Sequence, residues 1–143
     1  MDRARAAWRA AILLLASTAG RRGVRGATEG GSTMAGRFEQ VTELTALEPL
    51  FARSEEEPVL LFKHDPGCSI SEYAYREMLH VAPDAPLIDV ARAKDVAREV
   101  AQRTGVRHES PQVILLRGGQ AAWSASHFGI TAEAVEEALE VHG

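Results

Sequence analysis

Cys68 is the chain's only cysteine, in 143 residues. One thiol excludes an intramolecular disulfide, a cysteine-only metal cage and the cysteine framework of a small secreted scaffold. A reducing compartment, the cytoplasm, is therefore the expected setting. Long apolar runs are missing too. Residues 10–16, Ala-Ala-Ile-Leu-Leu-Leu-Ala, fall far short of the ~20 residues a membrane span needs. Positive charge is in short supply, with Lys+Arg 16 against Asp+Glu 20 and a formal net charge of -4. That balance argues against nucleic acid as a partner, and no membrane association is expected. What is present is ordinary: 45% hydrophobic and 25% charged residues, enough for one domain with a real core.

The charge is unevenly spread. Residues 1–33 carry Arg3, Arg5, Arg9, Arg21, Arg22 and Arg25 against only Asp2 and Glu29. Arginines followed by an apolar run and then Ser17-Thr18-Ala19 look like a short secretory signal. Arg21, Arg22 and Arg25 come straight after that run, where positive charge hinders translocation. Gly23, Gly26, Gly30 and Gly31 then read as a flexible linker. We therefore expect a disordered tail over 1–33, or a start at Met34, in preference to a working signal. The folded domain is expected to occupy 34–143.

Within the domain, Thr45-Ala46-Leu47-Glu48 has the form of a capping box ahead of a helix bearing Leu47, Leu50 and Phe51. Val59 to Lys63 is a short buried strand. Ile70, Ala74 and Met78 recur every four residues and mark a helix to about His80, with Tyr73 and Met78 assigned to the core. Leu87–Val90 is the next strand. Ala93, Val96, Ala97, Val100 and Ala101 line a second amphipathic helix, ended by Gly105. Pro111 opens a strand over 112–116, since it has no N–H to give a sheet ladder. Gly118-Gly119 sits at the centre of a two-residue hairpin, and residues 121–126 return with Trp123 as the large side chain. Thr131 caps a last helix through Ala134, Val135, Leu139 and Val141. Strands alternating with helices imply parallel pairing at first and an antiparallel hairpin at the end. The class is α/β.

The stretch Phe62-Lys63-His64-Asp65-Pro66-Gly67-Cys68-Ser69-Ile70-Ser71 is where the chemistry concentrates. Its cysteine lies between the end of a strand and the start of a helix. Unpaired amides and the dipole at a helix start favour a thiolate. Lys63 and His64 are close enough in sequence to add positive potential. The plain alternative is a small buried core residue with no chemistry.

The element order, with a cysteine at the first strand-to-helix turn and a proline opening the third strand, looks like the thioredoxin fold, a central mixed sheet of about four strands flanked by helices. Phe62-Lys63-His64, Cys68-x-Ile70-Ser71 and Arg107-His108-Glu109-Ser110-Pro111-Gln112-Val113 resemble the monothiol bacilliredoxins, the YtxJ-like redox proteins of bacillithiol-using bacteria. Trp123, Ser126-His127 and Ile130-Thr131-Ala132-Glu133 extend the likeness, which covers about residues 38–141. Two departures stand out: Ser69 replaces the family's proline after the cysteine, and Asp65-Pro66-Gly67 replaces a run of small hydroxyl residues.

The resemblance implies removal of bacillithiol, a cysteinyl-glucosaminyl-malate thiol, from protein mixed disulfides. Cys68 would be the nucleophile and bacillithiol a co-substrate, with no bound cofactor and no metal. Bacillithiolated client proteins would be the partners. Ser71 holds the resolving position of a Cys-x-x-Cys motif, so its hydroxyl is expected to support the Cys68 thiolate. Pro111 is expected in cis, offering the Ser110 backbone to the substrate chain. Lys63, His64, Arg107 and His108 are the candidates to meet the malate carboxylates, and His127 and Trp123 are further candidates for that edge. Two other readings share the fold. One is a glutathione-linked monothiol glutaredoxin, whose Cys-Gly-Phe-Ser is absent here, so no iron–sulfur cluster is expected. The other is a non-catalytic thioredoxin-like interaction module.

Overall fold

The computed structural model describes residues 37–143, so the expected tail over 1–33 lies outside the described residues. Phe38–Gly143 is one unit with a five-stranded mixed sheet. In chain order the elements are β1 (Glu39–Gln40), a 3₁₀ turn (Leu44–Ala46), α1 (Leu47–Arg53), β2 (Val59–His64), α2 (Ser69–Val81) and β3 (Pro86–Asp89). There follow α3 (Lys94–Thr104), β4 (Gln112–Arg117), β5 (Gln120–Ser126), a second 3₁₀ turn (His127–Gly129) and α4 (Ala132–His142). The strand order is β1-β3-β2-β4-β5. β1 and β2 flank β3 in parallel, whereas β4 runs antiparallel to both β2 and β5.

β2 and β4 pair side by side inside the sheet. Val59, Leu60, Leu61 and Phe62, like Val113, Ile114, Leu115 and Leu116, are buried on alternate faces. That is why both read as continuous apolar runs without alternation. Each such side chain contributes roughly 1.5–3 kcal/mol when fully buried. One face joins Val59, Leu61, Ile88, Ile114 and Leu116 to Leu47, Leu50 and Phe51 of α1 and to Val96, Ala97 and Val100 of α3. On the other face Phe62 meets Phe38, at 5.5 Å between ring centroids, and Tyr75 of α2.

Three local expectations change. The sheet gains a fifth strand, because a two-residue β1 is too short to leave a period in sequence. The Thr45 capping box does not form. Thr45 lies inside a 3₁₀ turn, α1 starts at Leu47 without a side-chain cap, and Glu48 instead accepts from Arg103 Nη1 at 2.7 Å. Val141 is exposed, since α4 turns only Val135, Ala138 and Leu139 inward. The turn and end signals hold. Gly105 closes α3 at φ 72°, Gly118 and Gly119 form the hairpin at φ 64° and 75°, and Thr131 Oγ1 accepts from Ala134 N–H at 3.0 Å.

Candidate active site

Register places the site at one end of the sheet. Lys63 pairs with Gln112, His64 with Asp89, and Gln112 with Ser126. The Cys68 loop, the 107–111 segment and the 127–129 turn therefore all leave the sheet at the same edge.

The Cys68 loop is short and tied internally. Cys68 N–H donates to Asp65 O at 3.1 Å, and Gly67 N–H donates to Asp65 Oδ1 at 3.0 Å. Cys68 has extended backbone angles and stands at the N-cap of α2. The first helical bond there runs from Glu72 N–H to Cys68 O, 3.1 Å. The amides of Ser69, Ile70 and Ser71 thus precede the ladder, beside the thiol. Cys68 is a free thiol and is half-buried.

Ser71 is fully buried beneath this loop. Its Oγ accepts from Asp65 N–H at 2.8 Å and lies 3.2 Å from His64 Nδ1. The expected partner of that hydroxyl was the thiolate; the hydrogen bonds found run to the loop amide and to the imidazole. His64 also packs against Tyr75, at 5.0 Å between ring centroids, and against Phe62 at 5.6 Å. Burial pushes the imidazole below its ordinary pKa, opposed by Asp89, by Asp65 and by the hydrogen bond at Ser71. The net effect favours the neutral ring over the imidazolium.

Lys63 lies elsewhere than a carboxylate-binding cation should. Its side chain is fully buried, continuing the Val59–Leu61 face to the end of β2, and Nζ donates to Gln112 Oε1 at 2.7 Å. Burial lowers its pKa from 10.5 to about 8, with Glu109 acting in the opposite sense. Gln112 is itself buried and passes the contact on, donating from Nε2 to Arg107 O at 2.9 Å.

The segment above this pair holds the remaining candidates. Arg107 and His108 are exposed, and Ser110 is half-buried. The Ser110–Pro111 peptide bond is cis, as expected from the sequence. Pro111 is buried, and its carbonyl accepts from His127 N–H at 3.0 Å. His108 is held below its ordinary pKa by partial burial and by Lys63, with Glu109 opposing. His127 is exposed at φ 54°, and Trp123 is half-buried in β5 opposite Leu115.

Two features escaped the sequence reading. Tyr73, assigned to the core by its place in α2, is exposed and faces the exposed Phe128 at 5.6 Å between ring centroids. Gln112 enters the sequence only as the opening of a strand and as part of the 107–113 motif, with no role of its own. A polar residue opening an otherwise apolar interior strand, like Lys63 closing one, is the signal that pointed to such a pair. Among the described residues no group of His, Cys, Asp and Glu could hold a metal ion, and no helix is long and apolar enough to cross a membrane.

A parallel-then-antiparallel sheet of this order, with a single free thiol at the first strand-to-helix turn and a cis-proline opening the strand beside it, defines a monothiol redox protein of thioredoxin fold. Solved structures agree on the fold. A protein with a thioredoxin fold superposes with TM-score 0.67 at 24% identity, over 73% of this chain and 95% of that one. Thioredoxin from Fasciola hepatica gives 0.57 at 12% identity, over 73% and 99%. Spinach chloroplast thioredoxin f gives 0.55 at 17%, over 74% and 93%. The chain belongs to the monothiol bacilliredoxin BrxC family, whose sequence pattern matches residues 39–135.

Proposed function

We propose that the protein removes bacillithiol from protein mixed disulfides in the cytoplasm, with Cys68 as nucleophile. The observation that carries the reading is a solitary, accessible thiol at the N-cap of α2 in a chain of the monothiol bacilliredoxin family. The chemistry needs two exchanges. In the first, the Cys68 thiolate attacks the bacillithiol sulfur, a new disulfide forms, and the client cysteine leaves as thiolate with the electron pair of the broken bond. In the second, a free bacillithiol thiolate attacks the bacillithiol sulfur now on Cys68. Bacillithiol disulfide departs and the Cys68 thiolate returns. No second protein cysteine exists to do this step.

The surrounding residues take supporting roles. Exposed Arg107 and His108 are the groups that meet the malate carboxylates, with Ser110 and Pro111 receiving the substrate chain. Ser71 supports the thiol indirectly, by holding the Asp65 amide and the His64 ring that frame the cysteine loop. Lys63 and His64, being engaged internally, act from below.

The test is turnover. A cysteine peptide carrying bacillithiol is incubated with the protein and excess bacillithiol, and free peptide thiol is followed. Wild type should release many equivalents of peptide, and Cys68→Ser none above the uncatalysed rate. Release by glutathione-linked peptide at the same rate would favour the glutaredoxin-like alternative, and no release from either would leave a binding module.

A further inference from the structure

The Lys63–Gln112–Arg107 relay runs from two buried side chains on adjacent strands to the backbone of an exposed loop residue. Lys63 and Gln112 are direct cross-strand partners, so their side chains share one face. Both are buried, and the contact between them is short at 2.7 Å. The second hydrogen bond, from Gln112 Nε2 to Arg107 O, reaches back over the bend that carries His108, Glu109, Ser110 and the cis Pro111. No polar atom in the relay is left without a partner.

This arrangement is poorly explained as a stabilising device. Lys63 is held well below its free pKa by burial, so its charge at neutral pH costs folding energy. Replacing buried ionic or polar groups by apolar ones of similar volume is often neutral or favourable. What the relay does supply is geometry. It fixes the start of the 107–111 segment to the end of β2, five residues before Cys68 in the chain.

We propose that Lys63 is a positioning residue, acting through Gln112 to hold the 107–111 segment at the distance from Cys68 that a docked disulfide requires. This inference rests on the exchange chemistry proposed above, but it is separable from the identity of the thiol removed. It assigns Lys63 no contact with substrate.

The experiment uses the full chain as wild type, Lys63→Met, Gln112→Glu and the double variant Lys63→Met/Gln112→Leu. Gln112→Glu keeps the acceptor for Lys63 and loses the donor to Arg107 O, so it cuts the relay at its second bond alone. Four quantities are read: urea midpoint, Cys68 alkylation by iodoacetamide, exchange with a peptide mixed disulfide, and amide hydrogen exchange over 106–112. Alkylation needs no docked chain and should stay within about twofold of wild type, since it follows the thiolate alone. Exchange with the peptide disulfide should fall about tenfold or more in all three variants, the scale expected when a docking element is displaced by a fraction of an ångström. Amides of 107–110 should exchange faster while those of β2 and β4 do not. The double variant should be as stable as wild type, or more so, and still slow.

The peptide is used in two forms, linked to bacillithiol and to glutathione. If wild type fails to prefer bacillithiol, the thiol assignment falls, and the variants are still compared with wild type on either form. If wild type reacts with neither form, the amide exchange decides the positioning role. Wild-type amide exchange at 107–110 in all three variants would overturn the proposal. So would disulfide exchange that stays at the wild-type rate, or that falls only in step with alkylation or stability.

Discussion

At the residue scale, the serine in Cys-x-x-Ser is a framework group. Ser71 Oγ satisfies the Asp65 amide and touches His64 Nδ1, and the residue is fully buried. Removing the hydroxyl strands a backbone N–H in the loop that ends in the nucleophile. Ser71→Ala should therefore lower stability by about 1–3 kcal/mol, the usual cost of a buried donor left unpaired. Equilibrium urea unfolding measures it. A loss within about 0.5 kcal/mol, the ordinary range for surface substitutions, would mean that water replaces the hydroxyl without penalty. The sequence pointed to Cys68 and Ser71 because the spacing from strand end to helix start is a local pattern. Ser71's partners were not legible, since a hydroxyl's direction depends on how the intervening loop closes.

At the element scale, what was legible was periodic or carried a turn signal. The Gly118-Gly119 hairpin is an instance: both residues adopt positive φ, as a two-residue turn between twisted strands demands. A Cβ at Gly119 would stand 2.9 Å from Glu55 Oε1, the end of a side chain free to move. The backbone term is what remains, and Gly119→Ala should destabilise by about 1–2 kcal/mol, read from the thermal or urea midpoint. An unchanged midpoint would show that the turn relaxes to another type. Elements without a period were missed: two-residue β1 gave no signal. The Thr45-x-x-Glu48 pattern gave a false one, because Arg103 from α3 takes the glutamate that a capping box would use. Tyr73 departs from its pattern for a related reason. Its spacing puts it near the buried stripe of α2, yet the neighbouring turn at 127–129 leaves it an exposed aromatic partner instead of a cover.

At the scale of the whole molecule, a buried lysine and a half-buried histidine make stability depend on pH in separate windows. His64 and Lys63 both have folded pKa values below their free ones, so the unfolded chain binds protons more readily. Stability therefore rises with pH across each window. For His64 the loss comes on acidification, as pH falls below the free value of 6.5 and on through the lower folded value. For Lys63 the gain comes between about 8 and 10.5, and its full size is on the order of 3 kcal/mol. Urea midpoints across pH should show both slopes in wild type. His64→Gln should flatten the acid slope alone, and Lys63→Met the alkaline slope alone. A wild-type profile that falls between pH 8 and 10.5 in parallel with Lys63→Met would mean that Lys63 keeps its proton in the fold. Neither slope is legible in the sequence, where Lys63 and His64 read as candidates to meet the carboxylates of the substrate. Only the pairing of Lys63 with Gln112 takes the lysine out of water, and only the packing of Phe62 and Tyr75 around His64 half-buries the imidazole.

One thiol reacting with one class of disulfide is the centre of the proposed function. The direct measurement is intact mass of the full chain after exposure to bacillithiol disulfide, with glutathione disulfide in parallel and Cys68→Ser as control. A single bacillithiol adduct is predicted on wild type and none on Cys68→Ser. It should form faster than the glutathione adduct and be released by added bacillithiol. Equal and slow adducts from both disulfides, or none at all on wild type, would contradict it.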